Sequence, residues 1–229
     1  LSEMVNRKIR IEKIAIKDVK LRTFITEDSS RNEMVQHVYD ITYGTVRKDI
    51  DTLVVIDDSI VRGTTLRESI IRMLSRLKPK RIIVVSSAPQ IRYPDCYGID
   101  MSKMGDFIAF KAAIELIKES GRETLLDEIL SKCKELQHNN QLHTENLVRQ
   151  VYKPFSLDEI STKIAQLIKP DDINIPVDVI YQKIETLHEA CPGNKGDWYF
   201  TGNYPTPGGN KVCNKAFMHF MEGKNVRGY

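Results

Sequence analysis

Residues 53–65 read Leu-Val-Val-Ile-Asp-Asp-Ser-Ile-Val-Arg-Gly-Thr-Thr, and this run restricts the fold more than any other segment. Leu53–Ile56 is a short apolar stretch of the kind that forms a buried parallel strand. Asp57 and Asp58 stand where that strand would end. A loop of mostly small residues follows, and then an amphipathic helical pattern begins. In open α/β sheets, ligands bind beyond the carboxyl ends of strands. A loop opening into a helix offers free backbone N–H groups and a positive dipole end, which suits a phosphate. Adjacent carboxylates beside a phosphate suit ribose hydroxyls or a phosphate-bound Mg²⁺. The run therefore reads as a sugar-phosphate site, with Ser59–Thr65 as the phosphate cradle. Gly63 lets the backbone approach an anion closely, and Thr64 and Thr65 add hydroxyl donors.

Strand and helix patterns alternate around this run. Ile9, Ile11, Ile14 and Ile16 alternate with charged residues, and Leu21–Ile25 is another candidate strand. Ser30 and Glu33 form a capping box that predicts a helix to about Tyr43, ended by Gly44. After the site, Leu66, Ile70, Met73, Leu74 and Leu77 stripe a helix that stops at Lys78-Pro79. Ile82–Val85 is a second buried-strand run. Phe107, Phe110, Ile114 and Ile117 stripe a helix ending at Gly121. Leu126, Ile129, Leu130, Cys133 and Leu136 stripe the next, which makes Cys133 a core residue. The expected fold class is α/β: a parallel sheet wrapped by helices.

Composition shifts at Gln137–His143, so the domains are expected at 1–136 and 137–229. The second is read as a mostly helical and irregular extension. Ser156 and Glu159 form another capping box, opening a helix through about Ile168. Pro176 is placed near the start of a helix through about Glu189. Residues 191–211 are rich in Gly, Pro, Asn and Lys and are read as an irregular tail.

The chain has 229 residues, enough for a sizeable core. Its formal charge is only +3, with basic and acidic residues mixed throughout, so no nucleic-acid partner is expected. No apolar run approaches the ~18–20 residues of a membrane span. Cys96, Cys133, Cys191 and Cys213 contain no C-x-x-C pair and suggest no disulfide framework. Reduced thiols and a cytoplasmic location are the simplest reading. The five histidines are scattered, without metal-ligand spacing.

The run Asp57–Thr65 resembles the phosphoribosyl pyrophosphate (PRPP) motif of type I phosphoribosyltransferases, and in its Asp-Asp-Ser-Ile-Val-Arg-Gly-Thr-Thr form the glutamine PRPP amidotransferase family. Ser87-Ala88-Pro89-Gln90-Ile91-Arg92-Tyr93-Pro94, leading into Tyr97-Gly98-Ile99-Asp100-Met101, is similar to that family's Ala-Pro-x-Ile and Tyr-Gly-Ile-Asp segments. Arg22-Thr23-Phe24-Ile25 is similar to the entry of its flexible loop. Together these cover about residues 20–135.

The resemblance implies an enzyme that attacks C1 of PRPP with glutamine-derived ammonia, giving phosphoribosylamine and pyrophosphate at the entry to purine synthesis. It implies that Asp57 and Asp58 hold the ribose hydroxyls and Mg²⁺. It implies that Ser59, Ile60, Val61, Arg62, Gly63, Thr64 and Thr65 hold the 5′-phosphate. Arg31 and Arg47 are the basic candidates of the flexible loop, where some relatives carry a denser basic run.

The partners implied are PRPP, ammonia, an N-terminal glutaminase domain of the same parent chain, and further copies in a homo-oligomer. Neither that glutaminase nor the pyrophosphate loop has a match, so the chain is expected to be the C-terminal part of a longer enzyme, inactive alone. Some relatives hold an Fe–S cluster through four cysteines. Here Tyr199 stands where they have Cys, and no cluster is expected.

Plainer readings remain beside these. A carboxylate after a strand is often only a helix cap. Arg62 fits either a phosphate contact or a solvated loop position. Residues 86–101 fit either an active-site rim or a turn with Asp100 capping the next helix. For function, the alternative is a non-catalytic regulator of the same fold that binds PRPP or nucleotides. A transferase with a base acceptor is a third reading, opposed by the Tyr-Gly-Ile-Asp segment.

Overall fold

The β-branched run after Asp51 extends into β3 (Thr52–Asp57), and a second such run forms β4 (Arg81–Ser86). The computed structural model describes residues 11, 15–17, 39–42, 44–97, 101–193, 196–224 and 226–228. Two short strands precede β3: β1 (Ala15–Lys17) pairs antiparallel with β2 (Tyr39–Ile41). Residues 39–41, expected at the end of a helix through Tyr43, are strand instead, where cross-strand pairing overrides local helix signals; the part of that expected helix before residue 39 lies outside the described residues. Its capping box at Ser30–Glu33 and the candidate strand Leu21–Ile25 lie outside the described residues.

β3, β4 and β5 (Val177–Tyr181) form a sheet in that order. Flanking hydrogen bonds set both pairings parallel. Lys80 N–H donates to Asp51 O at one end of the β3–β4 pair, and Ser87 N–H to Asp57 O at the other. Ile82 N–H donates to Pro176 O, and Gln182 N–H to Ser86 O. β5 corrects the helix expected from Pro176. Val177, Val179 and Ile180 favour a pleated strand, and Pro176 sits before it, where a missing N–H costs nothing. The helix follows later, as α6 (Ile184–Ala190).

β3 is also less buried than expected. Leu53 is buried, but Val54 and Ile56 are 60% and 74% exposed. An edge strand has one neighbour, and no described residue covers this face of it.

The helix after the motif begins at Thr64, passes through a π-helical turn (Leu66–Ile70) and continues as α1 (Ile71–Ser75). The wider turn shifts the buried stripe. Ile71, not Ile70, is fully buried, with Leu66, Leu74 and Leu77.

α2 (Ile108–Glu119), α3 (Thr124–His138) and α5 (Leu157–Ile168) follow the expected helical patterns, and a short α4 (Arg149–Tyr152), not anticipated, precedes α5. Cys133 is buried on α3. The capping box of α5 is complete: Ser156 Oγ accepts from Glu159 N–H, and Glu159 accepts from Ser156 N–H at 2.7 Å. The stretch read as an irregular tail contains α7 (Trp198–Thr201) and the start of α8 (Pro207–Met221). Pro207 occupies the first turn, where its missing N–H is harmless. Phe217 and Cys213 bury one face of α8, and buried Asn214 ties it to the segment Leu142–Leu147 through three hydrogen bonds.

The chain divides into two compact units. One joins residues up to Leu53 with Thr65–Ile82 and Pro170–Pro176. Within it, Arg67 pairs with Asp171 and Arg72 with Asp172. The other joins Val54–Thr64, Ile83–Lys169 and Val177–Tyr229. There α2 packs on α5, α5 on β5, and α8 on α3. Among the described residues, no helix is long and apolar enough to cross a membrane.

Candidate functional site

β3 ends at Asp57, and alternation along the strand puts that residue on the same side as buried Leu53. The Asp57 carboxyl is pushed above its ordinary value, first by burial and then by hydrogen bonding with and repulsion from Asp58. Asp58 is exposed, and its Oδ1 accepts from Ser59 N–H at 2.7 Å. Ser59 is not helical, so this bond caps no helix, and no side chain caps the π-helical turn. The plain capping reading of the pair therefore finds no support among the described hydrogen bonds.

Ser59–Gly63 is the loop between strand and helix. Among the described residues, the backbone N–H groups of Ile60, Val61, Arg62 and Gly63 have no acceptor. Val61, Arg62 and Gly63 are half-buried or exposed, so either water or a bound anion can accept from these donors. Ile60 is buried and anchors the loop. Thr64 and Thr65 are helical and exposed.

Gly63 has φ +72°, and an added Cβ would come within 2.8 Å of Ile168 Cγ2 and 3.4 Å of Ile108 Cγ1. Glycine is thus required by a left-handed backbone and by close packing on the core, two reasons beyond the approach to an anion that the sequence suggested. Arg62 does not stand free beside the loop. Its guanidinium donates to Asp106 Oδ2 at 3.2 and 3.4 Å. Arg47 is joined to Asp51, with the shortest guanidinium contact at 2.7 Å. Arg31, Asp100 and most of the Tyr-Gly-Ile-Asp segment lie outside the described residues.

The segment after β4 splits into two roles. Ser87 and Ala88 extend the ladder, donating to Asp57 O and Asp58 O. With Asp58, Pro89, Leu187 and Phe200 they line a cavity of about 270 Å³. His188 and Asp197 also line it, joined at 3.0 Å. The residues beyond turn inward: Gln90, Ile91, Tyr93 and Pro94 are buried. Gln90 Nε2 donates to Ser161 Oγ at 3.0 Å and to Leu157 O at 3.1 Å. The Arg92 guanidinium donates to Gln90 Oε1 at 2.7 Å and lies 5.2 Å over the Tyr152 ring.

Three residues near the site were not anticipated. Tyr181 ends β5, and its buried hydroxyl has no partner among the described residues. Burial first, and then the charge of Asp57, push its phenol upward. His188 and Asp197 come together only because the chain folds back after α6. Alternation in Val177–Tyr181 was the available signal for Tyr181; nothing local signalled the other two.

As for metal, no cluster of three or more His, Cys, Asp or Glu among the described residues could hold an ion. Two carboxylates nevertheless fit Mg²⁺, which keeps waters and takes one or two carboxylates together with substrate phosphate oxygens. The four cysteines are free, and Cys133 and Cys213 are buried. At Tyr199 the backbone carbonyl accepts from Arg92 and Tyr93 N–H.

A carboxylate pair at the end of a parallel strand, followed by a strand-to-helix loop, places the chain among α/β proteins that keep polar groups beyond the carboxyl end of a strand. Curated relatives narrow this class. The chain is 47% identical over 72 residues to the amidophosphoribosyltransferase of Haemophilus influenzae, a match covering 31% of this chain and 14% of that one. It is 42% identical over 67 residues to the Escherichia coli enzyme, covering 29% and 13%. It is 38% identical over 102 residues to that of Staphylococcus epidermidis, covering 42% and 19%. The chain is therefore related to the amidophosphoribosyltransferases, and the matches span less than a fifth of those proteins.

No protein-family model matches. Two solved structures are also similar. The glutamine PRPP amidotransferase of B. subtilis, complexed with ADP and GMP, is 25% identical over 84% of this chain and 32% of its own, with a TM-score of 0.45. The other, described as the allosteric regulatory enzyme of purine biosynthesis, is 26% identical over 86% and 32%, with a TM-score of 0.47.

Proposed function

We propose that this chain supplies the PRPP-binding part of an amidophosphoribosyltransferase, which transfers ammonia to C1 of PRPP and releases pyrophosphate. The single observation that carries the reading is the Asp57–Asp58 pair joined to a loop with four unpaired N–H groups. In this reading Asp57 and Asp58 hold the ribose hydroxyls and a Mg²⁺ ion bound with the substrate. A Mg²⁺ ion held there would supply charge stabilisation to a pyrophosphate leaving group. The loop donors and the start of the helix hold the 5′-phosphate. Ammonia is itself the nucleophile, so the chain's part is orientation and charge management. A glutaminase domain on the same parent chain, a homo-oligomeric assembly and a cytoplasmic location belong to the same proposal.

The test is pyrophosphate release from PRPP–Mg²⁺ by the natural full-length protein, with glutamine or ammonium as acceptor. Turnover with either supports the reading. Turnover only with a nucleobase points to another transferase, and PRPP binding without turnover points to a regulator.

Ligand binding should also depend on pH through Asp57. Its folded-state carboxyl is raised, so between the ordinary aspartate value and the raised one the folded protein holds a proton that the unfolded chain has lost. This group therefore favours the fold most at low pH, and its contribution falls as pH rises through that window. Binding of PRPP–Mg²⁺ needs the ionised form and should strengthen across the same window. Calorimetric titration at stepped pH measures this. A flat profile would show that Asp57 does not meet the cation.

A further inference from the structure

The loop that carries the unpaired donors is fastened from outside, and its only arginine is part of the fastening. Three features converge on residues 61–63. Ile108 N–H, at the start of α2, donates to Val61 O at 2.8 Å. The Arg62 guanidinium donates twice to a single oxygen of Asp106. Gly63 lies flat against Ile108 and Ile168, with no room for a side chain. All three partners lie within or next to α2 and α5, which pack together in the core.

We propose that Asp106 is a positioning residue for the phosphate loop: by holding Arg62, it keeps Val61–Gly63 in the shape that presents backbone N–H groups to a 5′-phosphate. This rests on the sugar-phosphate reading of the site given above. Arg62 then acts on the loop, and the phosphate is held by backbone donors and the helix start. Nothing in the sequence linked Asp106 to the motif, since the two lie 44 positions apart.

The alternative role for Arg62, direct contact with the phosphate, predicts the opposite sign for one variant. Asp106→Ala removes a negative charge near an anion site and frees the guanidinium. If Arg62 served the phosphate, affinity would rise or stay level. If Asp106 positions the loop, affinity should fall. The pair is partly exposed, so the loss is limited to about threefold to fivefold.

The probe is ribose 5-phosphate, titrated calorimetrically into the full-length protein and into its Asp106→Ala, Asp106→Glu, Arg62→Ala and combined Asp106→Ala/Arg62→Ala variants, with thermal melting of each as a fold control. The expected result is weaker binding for Asp106→Ala and Arg62→Ala at nearly unchanged melting temperature, no further loss in the double variant, and recovery with Asp106→Glu. Wild-type binding with equal or tighter binding by Asp106→Ala would overturn the positioning role and leave the site assignment standing. Additive losses in the double variant would do the same. No binding by the wild-type chain would overturn both.

Discussion

Replacing Asp57 and Asp58 together with asparagine is expected to abolish measurable PRPP–Mg²⁺ binding while leaving the fold intact. Asparagine keeps the size of aspartate but removes the charge that a cation or a ribose hydroxyl donor needs. A hydrogen bond to a charged group contributes about 1.5–3 kcal/mol. Removing two such bonds at once corresponds to a fall in affinity on the order of 10²–10⁴. The fold should not suffer, because Asp57 is held above its ordinary ionisation range by burial and by its neighbour, so its charge works against the folded state. Calorimetry on the double variant measures the affinity, and thermal melting checks the fold. Undiminished PRPP affinity would move the site elsewhere on the chain.

Gly63→Val is expected to be the most damaging single substitution in the loop. It acts first on the fold and through the fold on binding. At φ +72° a side chain meets its own backbone, a cost of about 1–2 kcal/mol. The new atoms would also enter space held by Ile168 and Ile108, and overpacking of this kind costs about 1–3 kcal/mol. Together these should lower the melting midpoint by on the order of 10 °C. Gly121 is an internal control. Its φ is +63°, but nothing lies within 4 Å of an added Cβ, so Gly121→Ala should show the backbone cost alone. Equal losses from Gly63→Ala and Gly121→Ala would mean that Gly63 does not pack on the core.

What could be read in advance follows how local each signal is. The Asp57–Gly63 motif, the Ser156 capping box and the stripes of α2, α3 and α5 are set by residues a few positions apart, and all were legible. β5 was missed because a proline before a β-branched run fits either a helix start or a strand start; hydrogen bonding to β4 decides. α8 was missed at its start because Gly208 and Gly209 read as loop. Gly209 is buried there, and an added Cβ at that position would collide with Tyr204. Arg62 could be read only as a phosphate contact or as a solvated loop residue, since Asp106 is brought beside it by folding. The residue type at Gly63 was read correctly with an incomplete reason: the need for glycine is visible in sequence, whereas Ile168, 105 positions later, is not.

The hydrogen bonds of Gln90 and Arg92 affect how the cavity beside Asp58 behaves in time. Ser87 and Ala88 are held by the ladder to β3 on one side, and on the other by a segment locked to Ser161, Leu157 and Tyr152. This wall is ordered when the protein folds, so the entropy of arranging it is lost before any ligand arrives. A ligand entering there meets a preorganised surface, and each contact made with it is retained as affinity rather than offset by rearrangement. Association at such a wall is governed by encounter and desolvation, with differences between related ligands appearing in how fast they leave.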